Sequence, residues 1–230
     1  MTKKFVIIGA GGFAREVLDI FDACNENGHN YNVLGYIVGS DYGMPGERIN
    51  DKPILGDFEW LRTNSTNVLL VCGVGAPEVR FRLIQKALVY AASYGNIVHP
   101  SAILTNRVSQ GEDIIITAGC ILTDNINIGN HVQINLGCTI GHDVIIDDFV
   151  TIAPGAHISG RVSIGMGCYI GTGVNIVERV RIGAWTRVGA GSTVINDVPP
   201  NTTVVGVPSR VVKTRSEGWY RANGIIRPHH

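Results

Sequence analysis

Residues 137–144 read GCTIGHDV and place His142 directly before Asp143, among glycine, small and aliphatic residues. Histidine is the side chain whose unperturbed pKa lies closest to neutrality, so it can accept a proton from a reacting group. An adjacent carboxylate that reaches the imidazole ring holds one tautomer and raises the basicity of the other nitrogen. The pair therefore suits general-base chemistry. A surface histidine on a solvated coil is the plainer interpretation, and these residues alone leave both open.

The pair lies inside a long repeat of six residues. From His99 to Val194 the chain divides into sixteen hexads without an insertion, and the sixth position is Leu, Ile or Val in fifteen of them, with Gln110 as the exception. The fourth position is small or short-branched throughout. An amphipathic helix would return apolar residues at intervals of three and four, so the pattern excludes a helix. It predicts short flat strands joined by corners.

Three such hexads make one triangular coil of about eighteen residues in a parallel β-helix. Because the coils stack backbone to backbone, residues that differ by one coil lie on top of one another. Cys120 and Cys138 are eighteen positions apart, and we expect them to stack in the core as small apolar residues rather than to bind a metal. The column through the histidine consists of Asn106, Asp124, His142, Gly160 and Glu178.

His142 takes the second position of its hexad and is expected at a corner or outer face, pointing away from the core. Gly160 lies one coil beyond it. The backbone amide of a glycine there can face the oxygen of a tetrahedral intermediate, with no side chain in the way. A glycine needed only for its corner conformation is compatible with that role.

A different kind of chain precedes the repeat. KKFVIIGAGGFAREVLDIFDAC reads as a buried strand, a glycine turn and an amphipathic helix. Strand-like segments at 32–38 and 67–75 and a helix-like segment at 77–93 follow. Strands that alternate with helices predict a small parallel sheet of the Rossmann kind. The fold class is therefore α/β plus all-β, with an N-terminal domain at 1–97, a β-helix domain at 98–213 and a C-terminal tail at 214–230 that includes His229 and His230.

The turn from Gly9 to Gly12 can hold a phosphate at the N-terminus of the helix, although glycines there also simply permit a tight turn. A dinucleotide site would place an acid at the end of the second strand. This chain has Val38 and Gly39 at that point, before Asp41. A mononucleotide or nucleotide-sugar pocket is therefore favoured over a nicotinamide site.

The composition excludes several classes of function. Nineteen basic and nineteen acidic residues cancel, so net charge does not favour nucleic acid or an anionic membrane as a partner. The start of the chain lacks a secretory or membrane-spanning run, which predicts a soluble cytoplasmic protein. The five cysteines contain no CxxC motif, so neither a disulfide framework nor a zinc site is expected.

The order of these parts resembles the NeuD family of bacterial sugar acetyltransferases. The resemblance covers residues 3–213 and consists of the opening GAGGFAREV, the repeat GHDVIIDDFVTIAPGAHISGRVSIG and the closing DVPPNTTVVGVPSRVVK. It implies a left-handed β-helix, acetyl-CoA as co-substrate, no metal, a nucleotide-linked amino sugar on the N-terminal domain and a homotrimer that reacts at clefts between neighbouring β-helices. It also implies a role in the biosynthesis of surface glycans such as lipopolysaccharide.

The resemblance assigns roles to individual residues. His142 is the general base, Asp143 orients it and Gly160 supplies the oxyanion amide. The expected acceptor-binding residues are Gly11, Gly12, Phe13, Val38, Gly39 and Gly75. The expected cofactor-binding residues are Thr151, Gly160, Thr172, Ala190, Pro208 and Arg210.

Some positions depart from the family pattern. Thr151 stands where several relatives have a second, cofactor-contacting histidine, and Phe13 stands where relatives often have a histidine in the glycine loop. Trp185 is expected as an exposed corner residue. Lys213 and Arg215 follow the last coil, where a cofactor phosphate can dock or a basic tail can be solvated.

Three functions remain open at this point. The first is N-acetylation of a nucleotide-linked amino sugar, with a 4-amino-4,6-dideoxy sugar as the favoured acceptor, and the second is O-acetylation of a sialic-acid-like sugar. The third belongs to another class, a non-catalytic trimeric β-helix that serves as a binding module. A metal-dependent hydratase would need three converging histidines, and the sequence does not provide a second one close after His142.

Overall fold

The computed structural model describes residues 2–39 and 42–221. Met1, Ser40, Asp41 and residues 222–230 of the predicted tail, with His229 and His230, lie outside the described residues. The predicted fold class, a small Rossmann-like domain followed by a left-handed parallel β-helix, is confirmed. In the described part of the chain, no helix combines the length and the apolar character that a membrane crossing requires.

The N-terminal domain is a six-stranded sheet with helices packed against it. Its elements are β1 (Lys3–Ile8), α1 (Gly12–Glu26), β2 (Tyr31–Ile37), β3 (Arg48–Ile49), β4 (Lys52–Gly56), α2 (Leu61–Asn64), β5 (Leu69–Cys72), α3 (Pro77–Leu88) and β6 (Ser93–Tyr94). The strand order is β3-β4-β2-β1-β5-β6, and every pair is parallel except β3 with β4. Because β1 lies between β2 and β5, the loops after β1 and β5 meet at a topological switch point, where open α/β sheets bind ligands.

The sequence patterns located most of this domain. The helix α1 is amphipathic as predicted, and its apolar residues Val17, Leu18, Ile20 and Phe21 are all buried. The helix predicted over 77–93 ends earlier, at Leu88, since the chain turns through a left-handed conformation at Ala91 (φ 50°). The strands β3 and β6 have two residues each, too few to show the alternation by which a strand is recognised.

The β-helix has three faces, each a parallel sheet. Face 1 consists of β7 (Ile97–Val98), β10 (Ile115–Ile116), β13 (Gln133–Ile134), β16 (Thr151–Ile152), β19 (Tyr169–Ile170), β22 (Arg187–Val188) and β24 (Thr202–Gly206), with β25 (Ser209–Thr214) antiparallel at its end. Face 2 consists of β8 (Ile103–Leu104), β11 (Ile121–Leu122), β14 (Thr139–Ile140), β17 (His157–Ile158), β20 (Asn175–Ile176) and β23 (Thr193–Val194). Face 3 consists of β9 (Val108–Gln110), β12 (Ile126–Ile128), β15 (Ile145–Ile146), β18 (Ser163–Ile164) and β21 (Arg181–Ile182).

The register follows the predicted columns. Thr139 pairs with His157 and Gln133 with Thr151, each a step of eighteen residues. Only the last coil is shorter, because Arg187 pairs with Thr203, sixteen residues on. The repeat therefore ends where the sequence pattern ends, at about residue 194.

The hexad positions have distinct structural roles. The fourth and sixth positions point inward, and the predicted core residues Cys120 and Cys138 are fully buried free thiols. The third position adopts positive φ at every corner from Asp113 to Gly191. Glycine, Asn and Asp enter this left-handed region at the lowest cost. Asp143 (φ 59°) holds a third position, so the acid beside His142 also suits the corner conformation.

The N-terminal domain packs on face 1 and on the adjoining corner between faces 3 and 1. The Cys72 amide donates to Asp113 Oδ1 (2.8 Å), and Gln133 Nε2 donates to the Cys72 carbonyl (2.6 Å). The aromatic ring of Phe149 belongs to the same packing cluster as the core of the N-terminal domain. Face 1 thus contacts the N-terminal domain. The corner between faces 2 and 3 lies across the triangular section from face 1.

The fully buried side chain of Arg80, on α3, crosses this interface. Its guanidinium donates to the carbonyls of Val74 (2.8 Å), His131 (3.0 Å), Phe149 (2.9 Å) and Val150 (3.1 Å). Burial lowers the pKa of Arg80 to about 10. One side chain therefore ties the loop after β5 to two consecutive coils of the β-helix.

Candidate active site and acceptor cavities

The side chains of His142 and Asp143 contact each other. His142 Nδ1 lies 2.8 Å from Asp143 Oδ2 at the corner between faces 2 and 3. About half of the His142 side chain is exposed, at 55%, so Nε2 is open to a reacting group. Since the carboxylate occupies Nδ1, the neutral ring carries its proton there, and Nε2 is the nitrogen that can accept another.

Two neighbouring coils hold the carboxylate of Asp143 in place. Asn125 Nδ2, one coil before, donates to Asp143 Oδ1 (2.7 Å). Arg161, one coil after, places its Nε 3.8 Å from Oδ2. The Asn125 hydrogen bond, and then that of His142, hold the pKa of the Asp143 carboxyl below its usual value. The carboxylate thus stays ionised where His142 needs a negative partner.

Gly160 lies directly against the imidazole of His142. A Cβ added at Gly160 would fall 2.7 Å from Nε2 and from Cε1 of the ring. The backbone continues this contact, because the Arg161 amide donates to the His142 carbonyl (2.8 Å). The structure therefore brings the three predicted catalytic residues together at one corner.

The predicted acceptor-binding residues also come together, at the switch point of the N-terminal sheet. They line a cavity of about 420 Å³ between the loops after β1, β2 and β5, whose other walls include Tyr42 and Phe58. The predicted residues on this cavity are Gly11, Gly12, Phe13, Val38, Gly39 and Gly75. The N-terminus of α1 opens on it, with backbone N–H groups that suit a phosphate.

A second cavity of about 790 Å³ adjoins the first and shares Phe13 and Gly75 with it. It lies between the N-terminal domain and face 1. Its other lining residues include Glu16, Glu78, Arg82, Asn135, Thr151, Tyr169, Arg187, Arg215 and Trp219. Sequence reasoning did not identify this cavity, because it forms only where the two domains meet.

The base and the cavities lie on different sides of one chain. His142 is at the corner between faces 2 and 3, whereas both cavities lie on the N-terminal domain or between it and face 1. The triangular section of the β-helix separates them. A single protomer therefore does not bring its own base to a substrate held in its own cavities.

The predicted cofactor-binding residues are distributed over several parts of the β-helix. Thr172 and Ala190 share the corner between faces 1 and 2, and Gly160 lies at the next corner along the coil. Pro208 and Arg210 lie at the turn between β24 and β25. These residues are not brought together in one chain.

Thr151 lies on face 1 and is buried in the domain interface. Its hydroxyl donates to the Gly75 carbonyl (2.7 Å) and accepts from Arg80 (2.9 Å). Both partners belong to the protein, so the hydroxyl serves the contact between the domains.

Trp185 is not the exposed residue that the sequence predicted. It is 5% exposed and stacks on Tyr220, with ring centroids 3.6 Å apart. The cause is the tail, whose residues 215–221 fold back over this corner and over Phe81 of α3. No periodic pattern in the tail indicates this docking.

The sequence patterns did not point directly to three further residues, although the stacking of residues eighteen positions apart predicts two of them. Asn125 and Arg161 lie one coil before and one coil after Asp143, so both belong to the column of stacked residues that contains Asp143. Arg80 gave no such signal, since a helix arginine is ordinarily solvated.

Comparisons with known proteins agree with this architecture. Residues 4–87 match the family model of the PglD N-terminal domain. A perosamine N-acetyltransferase from Caulobacter crescentus, solved with CoA and GDP-perosamine, is 30% identical, with a TM-score of 0.83 over 90% of this chain and 96% of that chain. No curated protein sequence is a significant match.

Two further solved structures are similar over nearly the whole chain. The acetyltransferase domain of PglB from Neisseria gonorrhoeae, in complex with acetyl coenzyme A, is 25% identical with a TM-score of 0.83, covering 92% of this chain and all (100%) of that chain. WeeI from Acinetobacter baumannii is 26% identical with a TM-score of 0.81 and the same coverage, 92% and 100%.

Proposed function

The chain belongs to the NeuD/PglD-type family of sugar acetyltransferases, and we propose that it transfers the acetyl group of acetyl-CoA to the amine of a nucleotide-linked amino sugar. The observation that carries the proposal is the His142–Asp143 pair at 2.8 Å, with Gly160 against the ring. A binding module has no need of an oriented, half-exposed base. The cavity at the switch point supplies the second requirement, a place for a nucleotide.

The residues of the corner have defined roles in the reaction. Nε2 of His142 accepts a proton from the acceptor amine as the nitrogen attacks the thioester carbonyl. The Gly160 amide donates to the oxyanion of the tetrahedral intermediate. The carbon–sulfur bond then breaks, and the imidazolium returns the proton to the departing thiolate of CoA. Asp143 stabilises the imidazolium between these two transfers.

The reaction site is formed by two chains in this proposal. One protomer holds the nucleotide sugar in its N-terminal domain, and a neighbouring protomer presents His142. A homotrimer with three equivalent clefts is the closed assembly that the family resemblance implies. Exposed aliphatic residues on faces 2 and 3, which meet at the corner of the base, are available for such an interface; Ile121 and Ile145 are 40% and 48% exposed.

Acetyl-CoA is placed along the later coils, in the groove between two neighbouring β-helices. Gly160 of one chain would lie on one side of the groove, and Thr172 and Ala190 of the next chain on the other. Pro208 and Arg210 would approach the nucleotide end of the cofactor. Small residues suit this path because the pantetheine arm needs close approach to backbone amides.

We propose more specifically that the acceptor is a 4-amino-4,6-dideoxy sugar on a nucleoside diphosphate. Its acetylation is proposed as a cytoplasmic step of surface-glycan synthesis. The test is turnover and product analysis with the UDP, dTDP and GDP forms of such sugars and with acetyl-CoA. An amide product from one of them supports the proposal. Acetylation of a hydroxyl, or none at all despite bound acetyl-CoA, counts against it.

A further inference from the structure

The C-terminal segment, residues 215–221, forms part of the larger cavity. Tyr220 stacks on Trp185 of the β-helix, and the Tyr220 carbonyl accepts from Arg82 of α3 (3.2 Å). The Arg215 amide donates to the Asn201 carbonyl (2.8 Å). These contacts fix both ends of the segment, so that Arg215 and Trp219 line the cavity beside Arg187 and Glu78.

The charges on this wall are not balanced. Glu78, which is 4% exposed, pairs with Arg187. Arg215 forms no salt bridge with any residue that the structure describes, and its Nη1 is buried without a hydrogen-bond partner there. Burial, followed by the charge of Arg187, lowers the pKa of Arg215. A guanidinium in this environment is incompletely compensated, and an oxyanion would satisfy it.

The aromatic ring between the two arginines fixes their positions. The guanidinium carbon of Arg215 lies 4.6 Å from the ring centroid of Trp219, and that of Arg187 lies 5.3 Å from it. Cation–π contacts of this kind hold both groups at low entropic cost. The buried Nε1 of Trp219 likewise has no hydrogen-bond partner among the described residues. Two buried donors without a partner, Arg215 Nη1 and Trp219 Nε1, thus lie in one cavity wall.

The position of the wall indicates what would carry the oxyanion. The larger cavity meets the nucleotide cavity at Phe13 and Gly75. The N-terminus of α3, with Ala76 to Glu78, opens on the same space. An anionic acceptor whose base lies at the switch point therefore extends towards Arg215 along this junction.

We propose that the C-terminal segment completes the acceptor site and that Arg215, held by Trp219, binds an oxygen of the acceptor's diphosphate. This inference rests on the proposed function, since it assumes a nucleotide-linked acceptor. It adds a specificity-determining residue that lies outside the part of the chain where the family motifs are found.

The test measures affinity rather than turnover. Titration calorimetry of the full-length protein with UDP, GDP and dTDP identifies the nucleotide that binds, and Arg215→Gln is then compared with the native protein. We expect the variant to bind that diphosphate about tenfold more weakly, because a charge-assisted hydrogen bond is lost. Arg215→Lys should lie in between, since it keeps the charge without the planar fork.

The matched control is Arg221→Gln. Arg221 belongs to the same segment and lies over Tyr220 (5.5 Å), but it is exposed and does not line the cavity. Its loss removes the same charge and should leave affinity unchanged. Thermal melts of all variants check that the segment remains docked.

Binding of a sugar carboxylate instead gives a different pattern, which overturns the assignment of Arg215 to the diphosphate. In that case the native protein and Arg215→Gln bind the diphosphates equally. Arg215→Gln then binds UDP-glucuronic acid more weakly than the native protein does, whereas both bind UDP-glucose equally. The same pattern is expected for GDP-mannuronic acid and GDP-mannose. Equal affinity of native and Arg215→Gln proteins for every probe overturns the inference and leaves the proposed function intact. Failure of the native protein to bind any of the nucleotides overturns both.

Discussion

Gly160 and His142 are in contact across two coils, such that a methyl group on Gly160 would fall 2.7 Å from Nε2 of the imidazole ring. The column rule places one residue above the other, and only glycine leaves room for the ring in its observed position. The proposed base and the proposed oxyanion donor therefore depend on one another for their geometry.

Substitution Gly160→Ala tests this relationship. The added methyl group displaces the imidazole and shields the amide, so kcat should fall by about 10²-fold or more. Folding should be little affected, because Gly160 does not have positive φ. The neighbouring exposed Ser159→Ala serves as control. Steady-state kinetics in which both variants match the native protein would contradict the geometry.

Substitution His142→Asn should abolish most turnover and little else. General-base catalysis contributes about 10²- to 10⁴-fold, and we expect a loss of kcat in that range. Affinity for acetyl-CoA and the assembly state should persist, since the side chain points off the core. Activity that survives across pH 6 to 9 with a verified acceptor would show that His142 is not the base.

The pKa of the Asp143 carboxyl should depend on the hydrogen bond from Asn125. Asn125→Ala removes the largest cause of the lowered Asp143 pKa, so that pKa should rise towards its ordinary value, because the ionised form loses a donor. NMR titration of the Asp143 carboxyl measures the change. Asp143→Asn should reduce kcat less than His142→Asn does, since an amide still contacts the ring. A carboxyl pKa unchanged in Asn125→Ala would contradict the first expectation.

Mixed oligomers test whether two chains form one site. Gly75 has open space around its Cα, so Gly75→Trp should fill the acceptor cavities without straining the backbone, and this variant and His142→Asn should each be inactive alone. Random mixing of the two in a trimer restores about a quarter of the clefts, those that combine an intact base with an intact cavity. Inactive mixtures, despite exchange of subunits shown by mass spectrometry, would place the whole site within one chain. Light scattering that finds an active monomer would do the same.

The interface between the domains should depend strongly on Arg80. Arg80→Met leaves several buried carbonyls without donors, each costing about 1–3 kcal/mol, so the loss of stability should exceed about 3 kcal/mol. Arg62→Met is the control, since its surface pair with Glu59 (2.6 Å) contributes about 0–1 kcal/mol. Urea unfolding compares the two. Similar midpoints for both variants would rule out the structural role of Arg80.

The sequence by itself determined the β-helix, its register and the corner at which His142, Asp143 and Gly160 meet. A repeat of six fixes which residues face inward, and stacking by eighteen fixes their neighbours, as the Thr139–His157 pairing shows. His142, Asp143 and Gly160 could be placed because they are local to that repeat. The glycine turn after β1 could be placed for a similar reason, since the strand, the turn and α1 are continuous in sequence.

Tertiary structure alone decided how the separate parts meet. Arg80, Trp185 and Arg215 have their observed contacts because α3, a corner of the β-helix and the C-terminal segment come together from distant points in the chain. No period in the sequence encodes such a contact, since it depends on the shape of two surfaces rather than on spacing along one. For the same physical reason, the separation of His142 from the acceptor cavities became visible only once the N-terminal domain was seen packed on face 1.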